Sequence, residues 1–148
     1  MSMTGIYGAP LEMVKTWLVE SSAFTSFSTD STVHLYQRIG DGAEPEAGDA
    51  WGVLSYQEKQ HVLTRGGAGE GIANWDAQRL VKLSLVKLVA AATNAEIESI
   101  MNSAGGIVED IIDDDASAVM IGVRLLDVGV DESTDPIAIG IEIELELS

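Results

Sequence analysis

Two histidines, His34 and His61, and twenty-four carboxylates are the groups in this 148-residue chain that could do acid, base or metal chemistry. There is no cysteine, so disulfides, zinc–thiolate centres and thiol nucleophiles are excluded. Each histidine lies in an alternating, strand-like stretch, where an imidazole is expected to be structural. A serine hydrolase would need a strained turn such as Gly-x-Ser-x-Gly, and none is present. Acids are so abundant that no pair of them singles itself out as a general acid and base. The densest run, Asp113-Asp114-Asp115, lacks the alternating acids, the glycine and the distant glutamate of a calcium loop, and is expected to be a solvated turn. The glycine-rich stretch Gly66-Gly67-Ala68-Gly69-Glu70-Gly71 continues into Ile72 and Ala73. It therefore lacks the Gly-Lys-Ser/Thr of a phosphate loop, and the third glycine of a dinucleotide turn is replaced by isoleucine. No catalytic, cofactor-binding or metal-binding residue is predicted. The chain is read as a non-enzyme that needs no cofactor.

The charge is distributed unevenly. Residues 1–87 hold 10 acidic and 7 basic groups, and residues 88–148 hold 14 acidic groups against Arg124 alone. The formal net charge is −16. Eight basic groups cannot build a groove that neutralises DNA phosphates. At 46% hydrophobic the chain is too apolar for an acidic disordered tail, and its length suits one domain with a substantial core. No apolar run reaches the ~20 residues of a membrane helix, and the first ten residues lack the pattern of a signal peptide. The expectation is a soluble intracellular or particle-associated protein.

The elements that position these groups follow from periodicity. Leu11, Val14 and Leu18 behind Pro10 predict a helix of about three turns. A Ser/Thr-rich loop to Thr32 is expected next, anchored by Phe24 and Phe27. Val33–Arg38 reads as a strand, and 39–50, with three glycines, one proline and four acids, as an exposed loop. Trp51–Tyr56 and His61–Arg65 read as a hairpin turning at 57–60. The glycine-rich segment is expected to be flexible and to order against a partner through Gly66, Gly67, Gly69, Gly71, Ile72 and Trp75.

Residues 79–89 form a short continuous apolar run, read as a central strand. Thr93 and Glu96 make a capping box in front of a helix over 94–113. Gly105 and Gly106 in its middle either kink it or admit another backbone. Val119–Val128 predicts a strand with Val119, Ile121, Val123 and Leu125 on one face, followed by an acidic turn at 129–136. The final strand is the clearest pattern. Ile137, Ile139, Ile141, Ile143, Leu145 and Leu147 alternate with Ala138, Gly140, Glu142, Glu144 and Glu146, so one face is wholly apolar and the other carries a glutamate stripe. A slip of one residue would bury three carboxylates, and the stripe is also expected to discourage edge pairing.

These elements predict an α+β domain spanning 1–148: a mostly antiparallel sheet with a short N-terminal helix and one long helix on one face, and flexible loops near 39–50 and 66–78. Their order is carried by LEMVKTWL, VHLYQR, RGGAGEGIANWD leading into RLVKLSLVKL, TNAEIESIMNSAGGIVEDI, and the pair AVMIGVRLLDVG and IAIGIEIELEL. It resembles that of the tail-terminator and tail-completion (neck) proteins of long-tailed bacteriophages and prophages. The resemblance implies a structural virion protein of the tail or neck, assembled in the host cytoplasm. It implies a homo-oligomeric ring, typically a hexamer, that caps the tail tube and meets the head connector while DNA passes through its lumen without specific binding. Glu142, Glu144 and Glu146 are then candidates for the lumen lining, since carboxylates repel phosphates. Alternatives are a tail-tube subunit, a non-viral small-molecule-binding α+β domain and an acidic protein that meets a basic partner.

Overall fold

A computed structural model describes residues 8–38, 44–56, 62–65, 75–115 and 119–147. Helix α1 spans Gly8–Glu20, with Leu11, Val14, Trp17 and Leu18 buried, as their three- and four-residue spacing requires. The Ser/Thr-rich segment after it is not wholly loop, as expected, but holds a second helix, α2, Ser22–Phe27. Its signal was local. The Ser21 hydroxyl accepts the backbone N–H of Phe24 at 3.1 Å, the N-cap geometry that serine favours. Phe24 is fully buried, so its expected anchoring role holds, but from a helix.

The strands are β1 (Val33–Leu35), β2 (Ala50–Tyr56), β3 (Val62–Arg65), β4 (Trp75–Val89), β5 (Met120–Leu125), β6 (Gly129–Asp131) and β7 (Ile137–Leu147). They form a mixed sheet in the order β1-β2-β4-β7-β5, with β3 also on β4 and β6 also on β7. Only β1 and β2 run parallel; every other pair is antiparallel. Helix α3, Asn94–Asp114, packs with α1 and α2 on one face, so the architecture is α+β. Thr93 caps α3 through the Glu96 N–H at 3.3 Å. The Glu96 carboxylate pairs with Lys87 Nζ at 2.9 Å and so ties the first turn of α3 to β4.

Four expectations are corrected. The strand predicted over Val33–Arg38 ends at Leu35, because Tyr36 takes a positive φ of 66° that stops an extended run. The predicted hairpin between β2 and β3 does not form. Both strands run antiparallel to β4, Tyr56 opposite Val81 and Val62 opposite Gln78, because β4 is long enough to pair with each in turn. The proposed turn, 57–60, lies outside the described residues. β4 also begins at Trp75, which removes 75–78 from the segment read as loop. Last, Val119, Ile121, Val123 and Leu125 do not share one buried face. A bulge between Met120 and Gly122 inserts Ile121 as an extra residue and leaves it exposed, while Val123 packs on the core and Leu125, on the same face opposite Ile143, is exposed.

The core lies between the helices and one face of the sheet. Val81, Leu83 and Leu85 of β4 and Ile139, Ile141, Ile143, Leu145 and Leu147 of β7 meet Ile100, Ala104, Ile107 and Ile111 of α3. Burying each such aliphatic side chain stabilises the fold by about 1.5–3 kcal/mol. α3 is one uninterrupted helix past Gly105 and Gly106. Gly106 lets α2 come close: a Cβ there would lie 3.3 Å from the Ala23 Cβ.

Candidate functional site

The strict alternation of β7 is realised, with every odd residue from Ile139 to Leu147 buried. Glu142, Glu144 and Glu146 therefore stand in line on the sheet face that carries no helix. β7 is not an edge strand; it lies between β4 and β5. The stripe therefore cannot guard an edge, a correction to the edge-protection role read from its charge. The edge there is β5, which carries a bulge and the 68% exposed Arg124.

Cross-strand neighbours temper the stripe. In register, Glu144 sits between Lys82 of β4 and Arg124 of β5, and Arg124 Nη1 lies 3.9 Å from its carboxylate. Lys82 reaches diagonally to Glu142, 3.7 Å away. Glu146 lies over Gly122, where a Cβ would be 3.4 Å from its Oε2. The Glu144 side chain is only 14% exposed and that of Glu142 is 45% exposed. Beside Glu142 is a cavity of about 310 Å³ between β4, β7 and the β5–β6 connection. Ser84, Val86, Asp127, Gly140 and Glu142 line it.

The candidate contact loop connects β3 to β4. Gly66, Gly67, Gly69, Gly71 and Ile72 lie outside the described residues. Trp75 is the first residue of β4, opposite Arg65. β7 pairs with β4 only from Arg79 onward and β2 only from Val81 onward. Among the described residues, 75–78 are therefore flanked by β3 alone, a two-stranded extension of the sheet.

A polar cluster that residue spacing did not single out surrounds His34. The imidazole Nε2 lies 2.8 Å from Asp30 Oδ2. Asp30 also accepts from the Ser28 hydroxyl at 2.8 Å and from the Thr32 N–H at 3.0 Å. Burial pushes the Asp30 carboxyl up, but the hydrogen bonds from His34, Thr32 and Ser28 outweigh it and hold the group below its ordinary value. The Arg38 guanidinium lies 4.1 Å from the Trp51 ring centroid, a cation–π contact, with its Nε 3.9 Å from Asp30. The Asp-x-Thr spacing of a side-chain-bonded turn at Asp30 was the signal available in sequence. The arrangement folds the chain into β1. His61 lies outside the described residues.

Asp115 also does local work. Its carboxylate accepts the N–H groups of Val119 and Met120 at 3.0 and 2.9 Å, which starts β5 after α3. Asp113 and Asp114 are exposed. No group of three His, Asp or Glu residues that could hold a metal ion occurs among the described residues. Among them, no helix is long and apolar enough to cross a membrane.

No family model matches the chain, and no curated protein matches it. Among solved structures it is similar to a chain of the virion of a native gene transfer agent particle. The identity is 15% and the TM-score 0.43, over 94% of this chain and 96% of that chain. At that level the likeness bears on no residue and no role.

Proposed function

We propose that the protein is a structural, non-catalytic virion component that resembles a phage tail terminator: a ring-forming subunit that caps the tail tube and faces the head connector. The observation that carries this reading is the two-sided sheet. One face is apolar and carries the helices, and the other presents Glu142, Glu144 and Glu146 from a central strand. A surface of this kind suits a passage through which DNA slides, because carboxylates repel phosphates and offer them no binding site. Lys82 and Arg124 pair with Glu142 and Glu144 and offset part of the charge of such a lining. The order of elements named in the sequence resemblance supports the same reading.

The test is to add the purified protein to a polymerising tail-tube subunit and to image the products. Short tubes with a ring at one end are expected. Filaments of the protein alone would favour a tube subunit, and tubes of unchanged length with bare ends would overturn the reading. The cavity beside Glu142 favours one second reading, a small-molecule-binding domain. A thermal upshift with small organic amines, abolished by Glu142→Gln, would support it.

A further inference from the structure

The β5–β6 connection carries one residue more than the strand it faces. Leu125 is opposite Ile143 and Gly129 is opposite Gly140, so the three residues 126–128 span the two residues 141 and 142 of β7. The Leu126 N–H still donates to the Glu142 carbonyl at 2.9 Å, and the chain then arches before it rejoins β7. An extra residue of this kind bends a strand and re-aims a side chain. The cavity of about 310 Å³ lies beside this arch, and Ser84, Val86 and Glu142 line it from the sheet face that carries no helix. Two glycines that line it face each other, and they are glycine for different reasons. A Cβ at Gly140 would lie 3.2 Å from the Leu85 carbonyl oxygen, so close backbone packing disfavours a side chain there. At Gly129 φ lies outside the left-handed region, and a Cβ would meet no atom within 4 Å. Glycine weakens a strand, and nothing in the fold calls for it at 129. A side chain there, on the same sheet face as Gly140, would fill the cavity.

The lining defines a ligand chemistry. Val86 and Leu126 are half-buried apolar walls, and Ser84 adds a hydroxyl. Two carboxylates complete it. Asp127 is exposed and has no ion-pair partner among the described residues. Glu142 is met by Lys82 through Oε1 alone, at 3.7 Å, beyond hydrogen-bond length. An aliphatic stem that ends in a cation, as lysine and arginine present, matches both the walls and the carboxylates. The volume is at the lower end for ligand pockets and suits one such side chain rather than a cofactor. The surroundings select a protein as its source. The cavity opens on an uncovered sheet face where Glu142 and Glu144 stand two residues apart on β7, and residues 88–148 hold 14 acids against one base. The field that repels DNA phosphates from this face attracts a polycation.

We infer that the cavity receives a lysine or arginine side chain from an extended, basic segment of a partner protein that lies along β7. The inference shares its cavity with the small-molecule reading above and does not depend on the terminator role.

Isothermal titration calorimetry of the full chain with the synthetic peptide Thr-Lys-Thr-Lys-Thr-Lys-Thr tests it. The alternation sets the lysines on one side of an extended peptide, at the two-residue spacing of Glu142 and Glu144. Binding is expected at about 0.02 M sodium chloride and is expected to weaken as salt rises. The same peptide with acetylated lysines is expected not to bind. Net charge alone would attract any polycation, so the decisive variant changes no charge. Gly129→Leu fills the cavity and is expected to weaken binding about tenfold or more, with circular dichroism as the check on its fold. Asp127→Asn is expected to weaken binding as well. Asp114→Asn, which removes the same charge from the exposed end of α3, is expected to leave binding unchanged. That pair of variants carries the test if the leucine is not tolerated. A wild-type chain that does not bind the peptide overturns the inference. So does a folded Gly129→Leu chain that binds as tightly as wild type, or an equal loss with Asp127→Asn and Asp114→Asn, since the attraction is then diffuse. n-Butylamine that binds as tightly as the peptide overturns the protein source.

Discussion

Gly52 and Phe24 show how much rests on single side chains. A Cβ at Gly52 would lie 2.6 Å from Phe24 Cε2, and Phe24 is fully buried under α1 and α3 with nowhere to go. Gly52→Ala is expected to cost about 1–3 kcal/mol, measured by urea unfolding, because the ring must shift within a packed core. Gly105 is the opposite case. It sits mid-helix with no atom near the site of a Cβ. Gly105→Ala is expected to stabilise the protein by about 0.5–1 kcal/mol in the same assay, through lower unfolded-state entropy and higher helix propensity. The two glycines look alike in sequence, and only their neighbours give them opposite signs.

At the scale of elements, the attachment of α2 to α3 depends on one carboxylate. Asp110 accepts the Ser21 hydroxyl at 2.6 Å and the Ala23 N–H at 3.2 Å, so an acid on one helix satisfies the start of another. The hydrogen bond from Ser21, and then that from Ala23, hold the Asp110 carboxyl below its ordinary value of 3.8. A carboxylate lowered in the folded state stabilises the fold at pH values above its unfolded pKa. That contribution disappears as pH falls through the lower folded value. The thermal midpoint of the wild-type protein is therefore expected to drop as pH falls below about 4, and Asp110→Asn to flatten that drop. Equal slopes for the two proteins between about pH 2 and 5 would contradict the assignment. The glutamate stripe is also a property of an element: its alternation belongs to β7, while its partial neutralisation comes from Lys82 and Arg124 on the two strands beside it.

The whole molecule carries an excess of sixteen negative charges, thirteen of them net within residues 88–148. Self-repulsion of this kind opposes compaction and is screened by salt within about 10 Å at 0.1 M. Each ion pair among the described residues has at least one half-buried or buried member, and salt screens such pairs less than it screens repulsion across the surface. Raising sodium chloride from about 0.01 M to 0.5 M is therefore expected to raise Tm by roughly 2–5 °C, read by differential scanning calorimetry. A fall would mean that the ion pairs outweigh the repulsion.

Periodicity and capping alone determined the long helix, the central strand at 79–89, the alternation of β7 and hence the α+β class. Each of these is a local statement: a spacing of 3.6 or 2, or a threonine three residues before a glutamate. The pairing of β3 with β4, the bulge at Ile121 and the central position of β7 were decided only when distant segments met. The short helix at Ser22–Phe27 had a local cap signal in Ser21, but its place against the core was set by Phe24 meeting Gly52 and Ser21 meeting Asp110, 89 residues away. Strand partners and edges are long-range choices, made by the shared burial of faces that no single stretch of chain displays. The candidate lining residues were therefore legible in the sequence as a stripe. Their basic neighbours, and the cavity beside Glu142, existed only once the strands had taken their places.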